Sequence, residues 1–403
     1  MKILVLNAGS SSQKSCLYKL AELPDLPPEP LWEAKIDWSK KAGIAVLKVV
    51  ANSSVLEEEL EVTRTQSITR MLDTLCSGKT QVITQLSEID GVGHRVVHGG
   101  REYCESTLIT PEVKAAIADL AILAPAHNPA SLEGITAIEQ VLSVPQVAVF
   151  DTAFHRNLPQ AAAVYPIPYE WYEQGIQRYG FHGISHQYCA QRTAQILGQD
   201  LASLRLITCH LGNGCSLAAI RYGESIDTTM GFTPLEGLMM GSRSGSIDPS
   251  ILIHLLRQGN YTVDQLDEIL NHGSGLQGVS GLSSDLRQIV RAIEEGHSRA
   301  KLAFEVYVHR LRSQIGAMLA TLGGLDALVF TAGVGENQPD VRAAACENFG
   351  FLGLKLDPAK NAQSPADQDI AAVNSTVRVV LVHTQEDWAI AQACWQHFMQ
   401  APG

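Results

Sequence analysis

RLITCHLGNGCSLAAIRYGESIDTTM, residues 205–230 within the span Leu204 to Met230, is the stretch on which the fold turns. A run rich in Leu, Ile and Thr ends in Gly212-Asn213-Gly214-Cys215-Ser216. A second apolar run follows, then a turn at Gly223 and a third run, which reads as strand, turn, strand, turn, strand. The chain opens with the same device: in MKILVLNAGSSSQKS, Ile3 to Leu6 reads as a strand that stops at Asn7-Ala8-Gly9-Ser10-Ser11-Ser12, and Ser15 to Leu20 is extended again. Two such hairpins predict a duplicated domain that closes on a ligand.

Outward from these hairpins the pattern alternates. Residues 21–40, with prolines at 24, 27, 28 and 30, read as a surface excursion, and Ile44 to Ala51 as a strand. Helical periodicity covers about 64–77, 111–123 and 129–142, interleaved with strands Gly91–Val97 and Val147–Asp151, as in an α/β domain. A second domain starts near Asp151. Helices at about 248–257, 263–271, 283–295 and 299–322 precede a strand Ala327–Thr331 that opens into Ala332-Gly333-Val334-Gly335-Glu336-Asn337, and a final helix spans about 386–400.

At 403 residues the chain is long enough for two or three domains. A net charge of −12 argues against a general nucleic-acid or anionic-membrane binder, which needs a basic footprint. No apolar run is long enough to span a bilayer, and Ile3–Leu6 is too short for a signal-peptide core, so the cytoplasm is expected. Eight cysteines with no Cys-x-x-Cys spacing read as small core residues.

Gly-rich turns at 7–12, 212–216 and 332–337 each follow a strand, where backbone N–H groups can point at one anion and glycine lets a phosphate approach. None fits a Walker or Rossmann fingerprint. Arg95 in Gly93-His94-Arg95-Val96-Val97-His98-Gly99-Gly100 and Arg243 in Met240-Gly241-Ser242-Arg243-Ser244-Gly245 have glycines close by, a setting suited to bidentate carboxylate or phosphate recognition. His182 and His186 have Gly183 where a zinc protease needs Glu, which leaves an imidazole donor to a phosphoryl group as the better reading. Asp151, Asp227 and Glu386 are carboxylates placed to bind Mg²⁺ or orient a substrate, with Glu386 equally readable as a helix-start acid.

In order along the chain, Leu6-Asn7-Ala8-Gly9-Ser10-Ser11-Ser12 with Lys14, His94–Gly100, Tyr179-Gly180-Phe181-His182-Gly183, His210–Gly214 and Phe330–Asn337 resemble the acetokinase family, from residue 3 to about 391. The resemblance implies an α/β fold of two duplicated actin-like (ribonuclease H-like) domains with the active site in the cleft between them. They would be 1–150 with the returning helix 386–403, and the nucleotide-binding 151–385. It implies a homodimer and a reversible transfer of the ATP γ-phosphoryl group to acetate, giving acetyl phosphate and ADP, with Mg²⁺ (Mn²⁺ as substitute). Matched by motif, Asn7 and Glu386 would serve the metal. Arg95 and Arg243 would clamp the acyl carboxylate and the phosphoryl, His182 and Arg243 would stabilise the transition state, and Asp151 would be the catalytic acidic residue. Val97, Ala126, Phe181 and Pro234 would form the acyl pocket. Lys14, His127, His210, Asn213 and Gly214 would follow the phosphates, and Asp285, Arg287, Gly333, Gly335 and Asn337 the adenosine end.

Two positions depart from the family pattern. Ala126 stands where Leu is usual, which removes about three carbons of bulk at roughly 0.8 kcal/mol each and predicts good use of propionate. Ser246 stands where Asp is common and subtracts a charge beside Arg243. Alternatives are a propionate or butyrate kinase, a nucleotide-driven chaperone or filament ATPase, and a sugar kinase; the paired arginines favour a carboxylate acceptor.

Overall fold

The computed structural model describes residues 1–9, 12–41, 43–125 and 127–400, without the side chains of 39–41 and 400. The chain forms two compact units, Met1–Ala153 with Gln385–Gly403, and Phe154–Thr384. Asp151 therefore belongs to the first unit, just beyond the expected boundary at 150.

The first unit is built on an eight-stranded sheet. Its strands are β1 (Lys2–Ala8), β2 (Ser12–Lys19), β3 (Trp32–Lys41), β4 (Ile44–Ala51), β5 (Ser54–Leu60), β6 (Gly91–Val96), β7 (Thr107–Leu108) and β8 (Gln146–Phe150), in the order β5-β4-β3-β2-β1-β6-β8-β7. Strands β1 to β5 form an antiparallel meander, whereas β1, β6 and β8 run parallel. One face carries Leu4, Leu6, Leu17, Trp32 and Ile36 against Ile68, Met71 and Leu72 of helix Arg64–Cys76 and against Ala137 and Ile138 of helix Asn128–Glu139. The other face receives the C-terminal helix Glu386–Gln400. Gly91 and Gly93 explain how closely it docks: a Cβ on Gly93 would lie 2.5 Å from Cys394 Sγ, and one on Gly91 would lie 2.3 Å from the Phe398 ring.

The second unit repeats the scheme with β9 (Arg205–Leu211), β10 (Cys215–Arg221), β11 (Glu224–Thr228), β12 (Ala327–Thr331), β13 (Gln368–Asp369) and β14 (Arg378–Leu381), ordered β11-β10-β9-β12-β14-β13. In each unit three antiparallel strands continue into two parallel ones: β3-β2-β1-β6-β8 in the first, β11-β10-β9-β12-β14 in the second. The mixed α/β architecture with two sheets is consistent with the two-domain actin-like fold.

Two expectations are corrected. Residues 32–41 are not part of a surface excursion but a strand, with Trp32, Ala34 and Ile36 buried and the Trp32 indole donating to Thr74 Oγ1 at 3.2 Å. The prolines end at residue 30, and the period-2 burial that follows marks a half-buried strand. The stretch 332–337 is a short helix rather than a turn, entered through Ala332 at φ +64°. The cysteines behave as expected: six of the eight are buried.

Candidate active site

In the first unit the candidate side chains named from the sequence gather at the C-terminal ends of the parallel strands β1, β6 and β8. Arg95 Nε and Nη2 both donate to Asp151 Oδ2, at 3.0 and 2.5 Å, and Nη1 donates to the Ala8 carbonyl at 3.3 Å. Asp151 is 1% exposed, and its Oδ1 is buried without a hydrogen-bond partner. Burial raises the Asp151 pKa above its ordinary value; Arg95 opposes the shift and Glu386 adds to it. Burial works against the Arg95 charge in turn, but the fields of Asp151 and then Glu386 outweigh it and hold the guanidinium above its usual value.

Asn7 shares this end of the unit. Its amide donates to Asp387 Oδ1 at 2.8 Å and more weakly to Glu386 Oε2 at 3.4 Å. Asp387 is a functional candidate that sequence reasoning passed over. Two acids opening a helix read as macrodipole partners, and nothing local reveals that this one is half-buried, with its pKa raised by desolvation, and accepts a bond from the Cys16 thiol. Lys14 lies opposite Asn7 across the hairpin, exposed, with its charge felt at Asp387. Val97 is buried just after β6. His127 is the N-cap residue of helix Asn128–Glu139, and Ala126 lies outside the described residues.

The second unit gathers histidines. His182 takes φ +57° immediately before helix Gly183–Leu197, and its Nδ1 lies 2.9 Å from the Ser216 hydroxyl. His210 stacks on it at 4.1 Å between centroids and is tied through Nδ1 to Ser185 Oγ at 2.8 Å. Behind them His186 contacts Ser216 Oγ through Nε2 and Thr208 Oγ1 through Nδ1, both at 2.7 Å. Burial first, and then the neighbouring His155 and His210, push the His186 pKa well below its ordinary value, so this ring is neutral.

Gly214 holds open the space beside His182. A Cβ there would sit 3.5 Å from both His182 Cε1 and Arg243 Nη1, so these two side chains flank one gap. Among the described residues Arg243 makes a single long hydrogen bond, 3.4 Å to the Pro234 carbonyl, and no carboxylate pairs with it. Burial lowers its pKa. Its loop is shaped by Gly245 at φ +70°, where a Cβ would strike the Leu238 carbonyl at 2.3 Å. Ser246 Oγ accepts the Gly237 N–H at 3.0 Å, so this serine provides an oxygen acceptor without a charge.

Because β9 and β12 are parallel, the 212–216 turn and the 332–337 helix leave the same edge of the sheet. Gly333 faces open space, and the buried Thr331 hydroxyl beside it has no hydrogen-bond partner. Gly335 lies against the Phe330 and Cys209 backbones, and Asn337 donates to the Gly333 carbonyl at 2.9 Å. Asp285 caps helix Leu286–Glu294 and pairs with exposed Arg287 at 2.6 Å, and Phe181 is buried with its carbonyl 3.1 Å from His155 Nε2. Asp227 is engaged by the Thr228 N–H and the Thr321 hydroxyl.

A family model described as the acetokinase family matches residues 2–392. The chain belongs to the acetokinase family. An acetate kinase of Gloeobacter violaceus is 67% identical, with 98% of this chain and 99% of the relative covered, and one of Trichormus variabilis is 66% identical over the same shares. Among solved structures, the acetate kinase of Porphyromonas gingivalis superposes with a TM-score of 0.89 at 41% identity, covering 98% of this chain and 99% of that one. A propionate kinase of Francisella tularensis gives 0.88 at 37%, covering 97% and 98%. These acetokinase relatives match essentially the whole chain, so both units, and not one alone, carry the likeness.

Proposed function

We propose that this member of the acetokinase family is an acetate kinase that moves the γ-phosphoryl group of ATP reversibly to acetate, giving acetyl phosphate and ADP. The observation that carries the chemistry is the gap at Gly214, flanked by an imidazole and by an arginine that no carboxylate among the described residues pairs with. A loose phosphoryl-transfer transition state spreads negative charge over equatorial oxygens, and positioned cations and N–H donors are what it requires. Acetate is ionised at neutral pH, so its oxygen attacks phosphorus directly while the bond to the ADP oxygen breaks, and no general base is needed. Arg243 and His182 take up the equatorial charge. Arg95, held by Asp151, orients the acid's carboxylate, and Asp151 acts as the anionic partner that fixes Arg95.

Mg²⁺ is part of this reading. Its donor set would be hard oxygens: Asp151 Oδ1, buried and unpartnered, with Glu386 and the Asn7 amide. Among the described residues no three acidic, His or Cys groups form a metal cage by themselves. That fits an ion ordinarily held by one or two carboxylates together with substrate phosphates. When bound, the ion neutralises phosphate charge.

Lys14, His127, His210, Asn213 and Gly214 are assigned to the phosphates and Asp285, Arg287, Gly333, Gly335 and Asn337 to the adenosine end; openness at Gly333 supports the latter. Val97, Ala126, Phe181 and Pro234 are assigned to the acyl pocket. A homodimer is supported by exposed apolar side chains at Ile251, Ile253, Leu256, Val263 and Leu282. Cytoplasmic residence is supported by cysteines that mostly serve as small core residues, and no helix among the described residues is long and apolar enough to cross a membrane. Trapping acyl phosphate with hydroxylamine, using ATP and acids of two to four carbons, tests the reaction and the acceptor together. Acetate is expected to give hydroxamate, with propionate close behind; ADP release without hydroxamate would overturn the reading.

A further inference from the structure

His182 can donate to a phosphoryl oxygen from Nε2 only in the tautomer that carries its proton there. Which tautomer forms is set by what its other nitrogen meets. That nitrogen, Nδ1, meets Ser216 Oγ at 2.9 Å, and the same hydroxyl meets His186 Nε2 at 2.7 Å. A serine has one proton and two lone pairs; among the described residues the buried Ser216 hydroxyl meets only these two rings, so its O–H finds an acceptor only by donating to one ring while accepting from the other. Two polarities are available: Thr208 to His186 to Ser216 to His182, or the reverse.

Thr208 decides between them. It is fully buried, and among the described residues its hydroxyl has one hydrogen-bond partner, His186 Nδ1 at 2.7 Å. In the reverse polarity His186 Nδ1–H would donate to the Thr208 oxygen, leaving the buried Thr208 O–H without an acceptor, which costs the full desolvation penalty of that group. In the forward polarity every proton between Thr208 and His182 Nδ1 has a taker. Thr208 O–H donates to His186 Nδ1, His186 Nε2–H donates to Ser216, and Ser216 O–H donates to His182 Nδ1. The proton of His182 then sits on Nε2, on the edge that faces the Gly214 gap and Arg243. Neutrality of His186, pressed by burial and by its imidazole neighbours, is what this chain requires.

We propose that Ser216 is a positioning residue that, with Thr208 and His186 behind it, locks His182 as the Nε2–H tautomer and aims that donor into the Gly214 gap. The consequence for catalysis rests on the phosphoryl-transfer reading; the tautomer itself does not.

The test is ¹⁵N NMR of histidine-labelled protein without substrates, with the His182 resonances assigned by His182→Gln, alongside steady-state acyl phosphate formation. In the parent, His182 Nδ1 is expected to appear unprotonated and Nε2 protonated. Ser216→Ala should mix the two forms and lower kcat roughly tenfold, the scale of one hydrogen bond, with KM for both substrates within about twofold. Ser216→Cys, which keeps a weak donor, should fall between. Thr208→Val, close to isosteric, should also mix the tautomers, which keeps the test open where Ser216→Ala does not fold. A parent His182 protonated on Nδ1, or either hydroxyl-deletion variant with parental spectra and kcat, would overturn the proposal. Absence of acyl phosphate from the parent, with the expected spectra, would instead sink the functional reading and leave the relay standing.

Discussion

Arg95 and Arg243 are the same residue type treated in opposite ways by the two units. Arg95 sits against a buried carboxylate that takes two of its N–H groups, with Glu386 and Asp387 adding to the negative field. Arg243 has one long bond to a carbonyl, glycines around it and an imidazole across the gap. A guanidinium already matched by Asp151 is rigid and electrically balanced, which suits holding a ligand in place. One with no counter-ion carries an unmet positive charge, which suits an anion that becomes more demanding in the transition state. On the proposed function, the difference between the regions is one between orientation and charge stabilisation.

The sharpest way to break that contrast is Arg243→Ala. It should lower kcat roughly 10³-fold or more, the range in which arginines act in phosphoryl transfer, while leaving the melting temperature unchanged or slightly higher because a poorly compensated cation is gone. Hydroxamate rates and calorimetry on one preparation check both; a large fall in Tm would contradict the unpaired state. Arg95→Ala should look different, with activity lost and the fold weakened by about 3–5 kcal/mol, since it strands the buried Asp151 carboxylate. Urea unfolding measures this, and a loss below about 1 kcal/mol would place Arg95 in the same class as Arg243.

Gly214→Ala sharpens the comparison on the Arg243 side alone. The added methyl meets Arg243 and His182 at 3.5 Å, an ordinary contact, so the fold should tolerate it. The gap, however, narrows. We expect about a tenfold fall in kcat/KM, the scale of one or two kcal/mol, with parental Tm, and a parental kcat/KM would show that the gap takes no ligand.

The smallest effect belongs to Asp387→Asn on the Arg95 side. Burial raises the Asp387 pKa in the fold, so its contribution to stability is present below the unfolded-state value of about 3.9 and is lost as pH rises through the folded value. Asparagine does not ionise, so the variant should be more stable than the parent at pH 7, by about 2 °C in Tm, and the gain should vanish near pH 4. A gain that grows on acidification would reverse the sign of the argument.

How far these features were legible differs with their range along the chain. The hairpins at 7–12 and 212–216 were readable because a strand ending in Gly, Asn and Ser is a local pattern. The strand Trp32–Lys41 was obscured by the prolines before it, although Trp32, Ala34 and Ile36 alternate as a half-buried strand should. Gly91 looked like the start of a strand and Gly93 like a motif residue, yet what crowds them is Ile390, Cys394 and Phe398, about three hundred residues further along. Asp387 was indistinguishable from a solvent-facing helix cap.

What the sequence by itself determined is the repeated strand-and-turn device, the order of the motifs and the residue types available for anion chemistry, because each is written in neighbouring side chains and their periodicity. Only the tertiary structure decided which arginine is neutralised and which histidine nitrogen faces the gap. Asp151 lies 56 positions from Arg95, and Ser216 lies 34 from His182. Pairing across such distances, and the burial that gives it force, arise from how the strands and helices pack and from no local signal.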